Sequence, residues 1–461
     1  MNKIKNMFNT ATAEAMETPS RIQDLNENRA IKTGIWIYFF FLIFEGALRK
    51  WFLPELADPL LVIRDPIAIW LIYMSWRRGL FQSNIYLNGI IIIGLVSLYT
   101  AIWAGHGNWV VALYGARIFL LHFPLIFIIG KVFSREDIFK MGKTTLYLSI
   151  PMAMLISMQF YSPQSAWVNR GLAGDLGGAG FSSNGDFFRP PGTFSFTLGT
   201  ILFFSFVAPF VFYYLFNLKK VKTWLLIAAG GALLISIPFS ISRTLFFSVG
   251  VTLAFAVFAS LGKGGSFVKI LAGMVIVLVA FAFFSQTKFF NTATGAFTDR
   301  FTTANESEGG LVKGVIGDRF LGGLVTALEN SGKQPFLGQG TGMGTNVGAQ
   351  LLTGTRTFLI DEAEWGRLIG ELGPLMGILA ILFRVGFALK LAVLSFKRLK
   401  KGDLLPWLLL SFGFVPLIQG QWAQPTSLGF SVIIGGLILA ALQHTEEEPE
   451  FEPAEVDLTE V

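Results

Sequence analysis

The residues of this chain best suited to chemistry are arginines, and they are unevenly placed. Alternating the loops between its apolar segments divides the 36 basic residues into 22 on one side and 14 on the other. The smaller group holds ten arginines and four lysines, the larger seven arginines and fifteen lysines. A guanidinium presents a rigid fork that meets phosphate or carboxylate at two points and keeps its charge when partly dehydrated. Arg64 and Arg117 fall inside apolar segments, where a charge marks a pathway, a partner or a site. Arg243 sits in the turn Ser240-Ile-Ser-Arg-Thr244, and Arg189 opens the run Arg189-Pro-Pro-Gly-Thr-Phe194 at the mouth of a helix. Bland readings stand beside these: snorkelling to lipid phosphates, or structural Arg49–Glu45 and Arg64–Asp65 pairs.

Acidic candidates cluster in Asp361-Glu-Ala-Glu-Trp365, with Glu371-Leu-Gly373 beyond. A carboxylate there could take the proton of an attacking hydroxyl; equally, it could cap the positive end of the following helix. The glycine run Pro335-Phe-Leu-Gly-Gln-Gly-Thr-Gly-Met-Gly344 has no strand before it, which rules out a nucleotide-binding fingerprint. Trp103, Trp109, Trp365 and Trp422 fall near the expected outer interface, most as belt anchors and one available to stack on a sugar. The chain has no cysteine and three widely separated histidines, His106, His122 and His444. Disulfides, thiolate metal sites, cysteine nucleophiles and a multi-histidine metal centre are excluded, so neither metal nor cofactor is expected.

The elements that must hold these residues are membrane helices. Of 461 residues 53% are hydrophobic and 14% charged, and this much apolar surface must face lipid. Runs of roughly 20 apolar residues span a bilayer. They predict an all-α polytopic bundle of about twelve spans near 35–53, 59–76, 87–105, 109–130, 145–161, 194–216, 223–241, 244–261, 267–286, 366–389, 404–421 and 425–443. Residues 1–33 form a polar cytoplasmic segment without a cleaved signal, 34–443 the membrane domain, and 444–461 an acidic cytoplasmic tail. The lysine-rich side is placed in the cytoplasm, which also explains the net charge of +6 without nucleic acid. Two long loops, 162–193 and 287–365, then face outward as irregular caps, with 318–330 a helical candidate.

With these motifs in order, the chain resembles the O-antigen polymerase and ligase superfamily. The likeness rests on Arg189-Pro-Pro-Gly-Thr-Phe, Ser242-Arg-Thr244, Arg319 followed by Pro335-Phe-Leu-Gly-Gln-Gly340, and Glu371-Leu-Gly-Pro-Leu-Met-Gly377. Phe44-Glu-Gly-Ala-Leu-Arg-Lys-Trp51 resembles a subgroup, with no role attached. The resemblance implies a metal-independent glycosyltransferase of the bacterial inner membrane, acting on undecaprenyl-diphosphate-linked glycans at the outer face. Its essential arginines would match Arg189, Arg243 and Arg319. The ligase branch carries a histidine late in the large outer loop; residues 287–365 contain none, which favours a polymerase. Arg189, Arg243, Arg117 and Arg319 are expected to clamp the diphosphate, and Glu364 or Glu362 to deprotonate the acceptor in an inverting attack. Partners would be the lipid-linked glycan, membrane lipid, a flippase and a chain-length regulator. The alternatives are a ligase moving glycan to lipid A core or protein, a small-anion transporter, and a non-catalytic scaffold of an export complex.

Overall fold

Where water is absent, every backbone N–H and C=O must find a partner inside the chain, and a helix is the simplest way to satisfy them. The computed structural model describes residues 19–81, 83–182, 187–261, 287–308, 322–355 and 358–443, and among them the fold is helical apart from one two-residue hairpin. The helix starts are written locally. Asn84 accepts from the Leu87 N–H, and Asn108 from the N–H groups of Val110 and Val111. Ser134 and Asp137 form a capping box, and Ser242 accepts from the Leu245 N–H. Each side chain satisfies a donor that the first helical turn leaves open.

Seven helices among the described residues are long and apolar enough to cross a membrane: Asn28–Phe52, Ile85–Trp103, Trp109–Val132, Thr197–Phe216, Arg243–Ser260, Glu364–Lys400 and Pro425–Gln443. Thr223–Phe239 and Leu405–Gln419 are apolar but shorter. Helices Arg64–Arg77 and Arg135–Tyr161 lie where spans 59–76 and 145–161 were expected; the span expected at 267–286 lies outside the described residues. Pro425–Gln443 is the hub, buried along nearly all its length against Trp109–Val132, Leu405–Gln419 and Thr197–Phe216. Phenylalanines fill this core: Phe206 meets Phe39, Phe210, Phe412 and Phe430 at centroid distances of 5.3 to 6.3 Å. The periphery keeps apolar side chains exposed, among them Ile92, Leu95 and Tyr99 on one helix, as a lipid-facing surface requires.

The sequence expectation of one uninterrupted helix over 366–389 does not hold. Gly373 breaks the run Glu364–Lys400 with φ 82° and ψ 167°. At about 1.5 Å per residue, Glu364 and Arg384 would stand about 30 Å apart on a straight helix. Instead they share a buried hydrogen bond. A methyl group on Gly377 would meet the Leu368 carbonyl at 2.8 Å. Residues 364–372 therefore fold back as a short arm along the helix that follows. Within loop 287–365, Gly323–Glu329 falls inside the helical candidate 318–330, and Lys288–Glu308 and Asn346–Thr353 add helix that the composition does not indicate. Trp365 and Trp422, expected at the interface, are buried, whereas Trp103 and Trp109 are exposed.

Candidate functional site

Arg189 stands within electrostatic reach of two further arginines, each on a separate element. Arg189 lies on the short strand Phe188–Arg189, paired with Phe181–Ser182. Arg243 begins helix Arg243–Ser260, and Arg300 lies on helix Lys288–Glu308. Burial, then the nearby Arg300 and Arg243 cations, hold Arg189 below the usual guanidinium value. Gathering like charges costs energy, and an anionic ligand offsets it.

Aromatic rings fix this gathering. Phe187, two residues before Arg189, stacks on Phe160 at 4.9 Å and 4°. Phe160 meets Phe239 edge-on at 5.3 Å, and Phe239 meets Phe290 at 6.3 Å. Phe246 then contacts both Phe297 and Phe301, which flank Arg300. The three guanidinium-bearing elements are thus tied by two sets of aromatic contacts, both ending on helix Lys288–Glu308. Between Phe239 and Arg243 the backbone turns through Ile241, whose φ is +48°. A β-branched residue in the left-handed region is strained. Its buried side chain holds it there, and Ser242 caps the helix that Arg243 opens.

The segment Phe44–Trp51, to which the sequence attached no role, is the seat of the Arg189 loop. Lys50 Nζ donates to the Gly192 carbonyl at 2.8 Å, and Arg49 donates to Ser195 Oγ at 3.1 Å. The Thr193 hydroxyl donates back to the Ile43 carbonyl at 2.6 Å. Gly46 has no room for a side chain, since a Cβ there would lie 2.6 Å from the Thr193 carbonyl. Trp51 stacks on Trp167 of the same loop, 162–193, at 5.4 Å. Lys50 and Arg49 lie in a π-helical turn, Leu48–Phe52, a geometry common at functional sites.

The membrane-depth arginines are paired. Arg117 places one terminal nitrogen 2.9 and 2.7 Å from the two Asp65 oxygens and packs over the Tyr114 ring at 3.9 Å. His122 bridges Asp65 to Tyr38. Glu45 takes both Arg49 at 3.2 Å and Arg64 at 3.5 Å. The Arg49–Glu45 pair is as expected. The Arg64–Asp65 pair is not formed: Asp65 is claimed by Arg117, and Arg64 turns to Glu45 and the Pro425 carbonyl. Arg117, expected on the diphosphate, already has a carboxylate partner.

The folded-back arm holds the acidic candidates. Glu364 is 3% exposed and accepts from Arg367 Nε and Nη2 at 3.0 and 2.9 Å and from Arg384. Arg367 also bonds Glu371, which accepts from the Gly344 N–H at 2.8 Å. Arg384 donates to the Leu417 and Gly420 carbonyls and lies 3.6 Å from the Trp422 ring centroid. Two carboxylates and two guanidiniums make a closed quartet with no net charge. Glu364, expected as a base, has its oxygens committed. Glu362 and Asp361 beside it are exposed. Sequence reasoning missed Lys50, Arg300, Arg367 and Arg384. Of these Arg384 carried a signal, a lone charge in the apolar stretch Ile381-Leu-Phe-Arg-Val385. Arg319 lies outside the described residues.

Among the described residues no group of three histidine, aspartate or glutamate side chains is placed to hold a metal ion. His106 instead reaches the glycine run, with Nε2 3.1 Å from the Thr341 carbonyl while Nδ1 accepts from the Asn108 N–H. No protein-family model matches the chain, and no curated protein matches it.

Proposed function

We propose that this chain polymerises undecaprenyl-diphosphate-linked oligosaccharide repeat units at the outer face of a bacterial inner membrane. It would cross that membrane about twelve times, with both termini in the cytoplasm. The observation that carries the reading is that Arg243 and Arg300 both act electrostatically on Arg189, on elements tied by two sets of phenylalanine contacts that meet on helix Lys288–Glu308. In this reading the donor's diphosphate lies against those guanidiniums, joined by Arg319. An acceptor hydroxyl attacks the anomeric carbon from the opposite side. The bond from that carbon to the phosphate oxygen breaks, and the lipid diphosphate leaves with the electron pair. Arginines fixed in advance stabilise the charge growing on the leaving oxygen, which is a major term in such reactions.

The acceptor proton needs a base. Because Glu364 is occupied by Arg367 and Arg384, the role passes to the exposed Glu362, with Asp361 its neighbour. Arg117 is left out of the donor clamp, because Asp65, itself bonded to His122, already pairs it. The test is elongation of a purified lipid-linked repeat unit by the protein in proteoliposomes. Longer glycans on the same lipid support the proposal; glycan appearing on a lipid A core acceptor instead would make the chain a ligase. Uptake of a small anion without any elongation would make it a transporter.

A further inference from the structure

A cavity of about 370 Å³ opens between the loop after helix Gly323–Glu329, the glycine run and the start of the folded-back arm. It falls in the size range of small-molecule sites, about 300–1,000 Å³. Its polar lining is Asn330, Lys333, Gln334, Gln339 and Asp361. We propose that this amide-lined cavity binds a sugar unit, the acceptor end of the glycan. The proposal rests on the polymerase reading for the word acceptor, while the binding itself can be measured without turnover.

Three amides and one charge of each sign define the chemistry. Lys333 Nζ donates to Asn330 Oδ1 at 2.8 Å, Gln339 Nε2 donates to Gln334 Oε1 at 2.9 Å, and Asp361 Oδ1 accepts from the Ala363 N–H at 2.9 Å. These bonds fix the side chains and leave capacity unused: the Asn330 and Gln334 NH₂ groups as donors, Gln339 Oε1 and Asp361 Oδ2 as acceptors. A sugar hydroxyl both donates and accepts, and so does an amide. A surface with donors and acceptors side by side therefore matches a row of hydroxyls. The lysine and the aspartate leave no surplus charge, which disfavours a phosphate. Half-buried Leu359 and Ile360, backed by buried Ile369, add an apolar wall suited to the C–H face of a pyranose. The wall is rigid, because the Gln339 N–H donates to the Gly370 carbonyl at 2.8 Å and the Gly340 N–H to the Glu371 carbonyl at 3.0 Å. Glu362, next to Asp361 in the chain, is the base of the proposed reaction. Anion and polyol would thus be held by different residues, as a donor diphosphate and an acceptor sugar require.

The experiment uses saturation-transfer NMR on the full chain in nanodiscs, with cellotetraose and chitotetraose at millimolar concentration as probes. Ring protons of at least one probe should receive saturation from the wild type. Gln334→Leu with Gln339→Leu should weaken the effect about tenfold, equivalent to about 1.4 kcal/mol, at an unchanged melting temperature. Should the double variant misfold, Asn330→Leu replaces it under the same expectation. Inorganic pyrophosphate should not compete. Absence of transfer from both probes, equal transfer in the folded variants, or displacement by pyrophosphate would each overturn the proposal. Elongation by a wild type that shows no transfer would leave the polymerase reading standing and remove only this site; transfer without elongation would do the reverse.

Discussion

Lys50 and Gly192, 142 residues apart, are joined by a hydrogen bond of 2.8 Å from ammonium to carbonyl. The same carbonyl accepts from Gln159 Nε2 at 3.2 Å, and Gln159 Oε1 accepts from the Gly192 N–H at 2.8 Å. Gly192 is thus held from two sides, three residues after Arg189. Lys50 is fully buried, and among the described residues no carboxylate lies within ion-pair distance of it.

The two anchors should fail differently. Lys50→Met removes a buried polar head, and Gln159 still serves the carbonyl, so thermal stability should hold or rise. Gln159→Leu orphans the Gly192 N–H and should cost about 1–3 kcal/mol. Both should speed amide hydrogen exchange in residues 189–195. A marked drop in melting temperature for Lys50→Met would show that the ammonium is needed for folding rather than for seating the loop.

Arg243→Lys keeps the charge but loses the fork, so elongation should fall by about 10²–10³-fold while the protein still inserts. Arg189→Lys and Arg300→Lys should follow it. Arg398→Lys, whose guanidinium donates to the Leu442 carbonyl at the far end of the bundle, should be nearly silent. Equal behaviour of Arg243→Lys and Arg398→Lys would remove Arg243 from the clamp.

The sequence made the helices legible because membrane burial leaves a one-dimensional signal in long apolar runs, whose starts the structure places at the capping residues Asn84, Asn108 and Ser242. It also singled out Arg189 and Arg243, because proline, glycine and serine at those turns are local signs. What it could not show were partners remote in sequence. Asp65 lies beside Arg64 in the chain, yet helical geometry sends adjacent side chains about 100° apart, and Asp65 meets Arg117. Arg300 comes near Arg189 only through the fold, in which Phe246, Phe297 and Phe301 close on one another. The break at Gly373 escaped notice because apolar residues continue on both sides of it.

Glu364 separates charge pairing from catalysis. Glu364→Gln leaves Arg384 buried beside an uncharged amide and should cost about 3–5 kcal/mol, as breaking a buried pair does. Arg384→Met added to it should recover part of that loss. Glu362→Gln, on the surface, should leave melting unchanged and cut elongation by about 10²–10⁴-fold if Glu362 takes the proton. Unchanged turnover in Glu362→Gln would pass the base role to Asp361.

Orientation can be read with single cysteines, since the chain has none of its own. Leu176→Cys and Phe336→Cys, both well exposed, should react with an impermeant maleimide in intact spheroplasts. Lys219→Cys and Lys397→Cys should react only in inside-out vesicles. The opposite pattern would turn the arginine cluster toward the cytoplasm, away from any outer-face substrate.

The folded-back arm makes the last prediction. Spin labels at Glu362→Cys and Leu382→Cys, both surface positions, would sit about 30 Å apart on a straight helix, at about 1.5 Å per residue. Folding at Gly373 should bring them much closer, because Glu364 bonds Arg384. Double electron–electron resonance reads the difference directly, and a distribution centred near 30 Å would mean a continuous helix. Gly373→Ala tests the hinge itself. The φ and ψ at this position belong to a region open essentially to glycine, where another residue costs of order 1–3 kcal/mol. An added methyl would also run into the Phe336 carbonyl and the Gly338 N–H. The variant should therefore melt lower and loosen the bonds from Gln339 and Gly340 to the arm. Gly366→Ala crowds the arm's start instead, where a methyl would meet the Asp361 side chain from its carboxylate to its Cβ, 2.7 Å away. It should shift Asp361 while Glu364 keeps its bonds to Arg367 and Arg384. If Gly373→Ala keeps both the short distance and the wild-type melting temperature, the turn does not depend on glycine, and the quartet of Glu364, Arg367, Glu371 and Arg384 alone holds the arm in place.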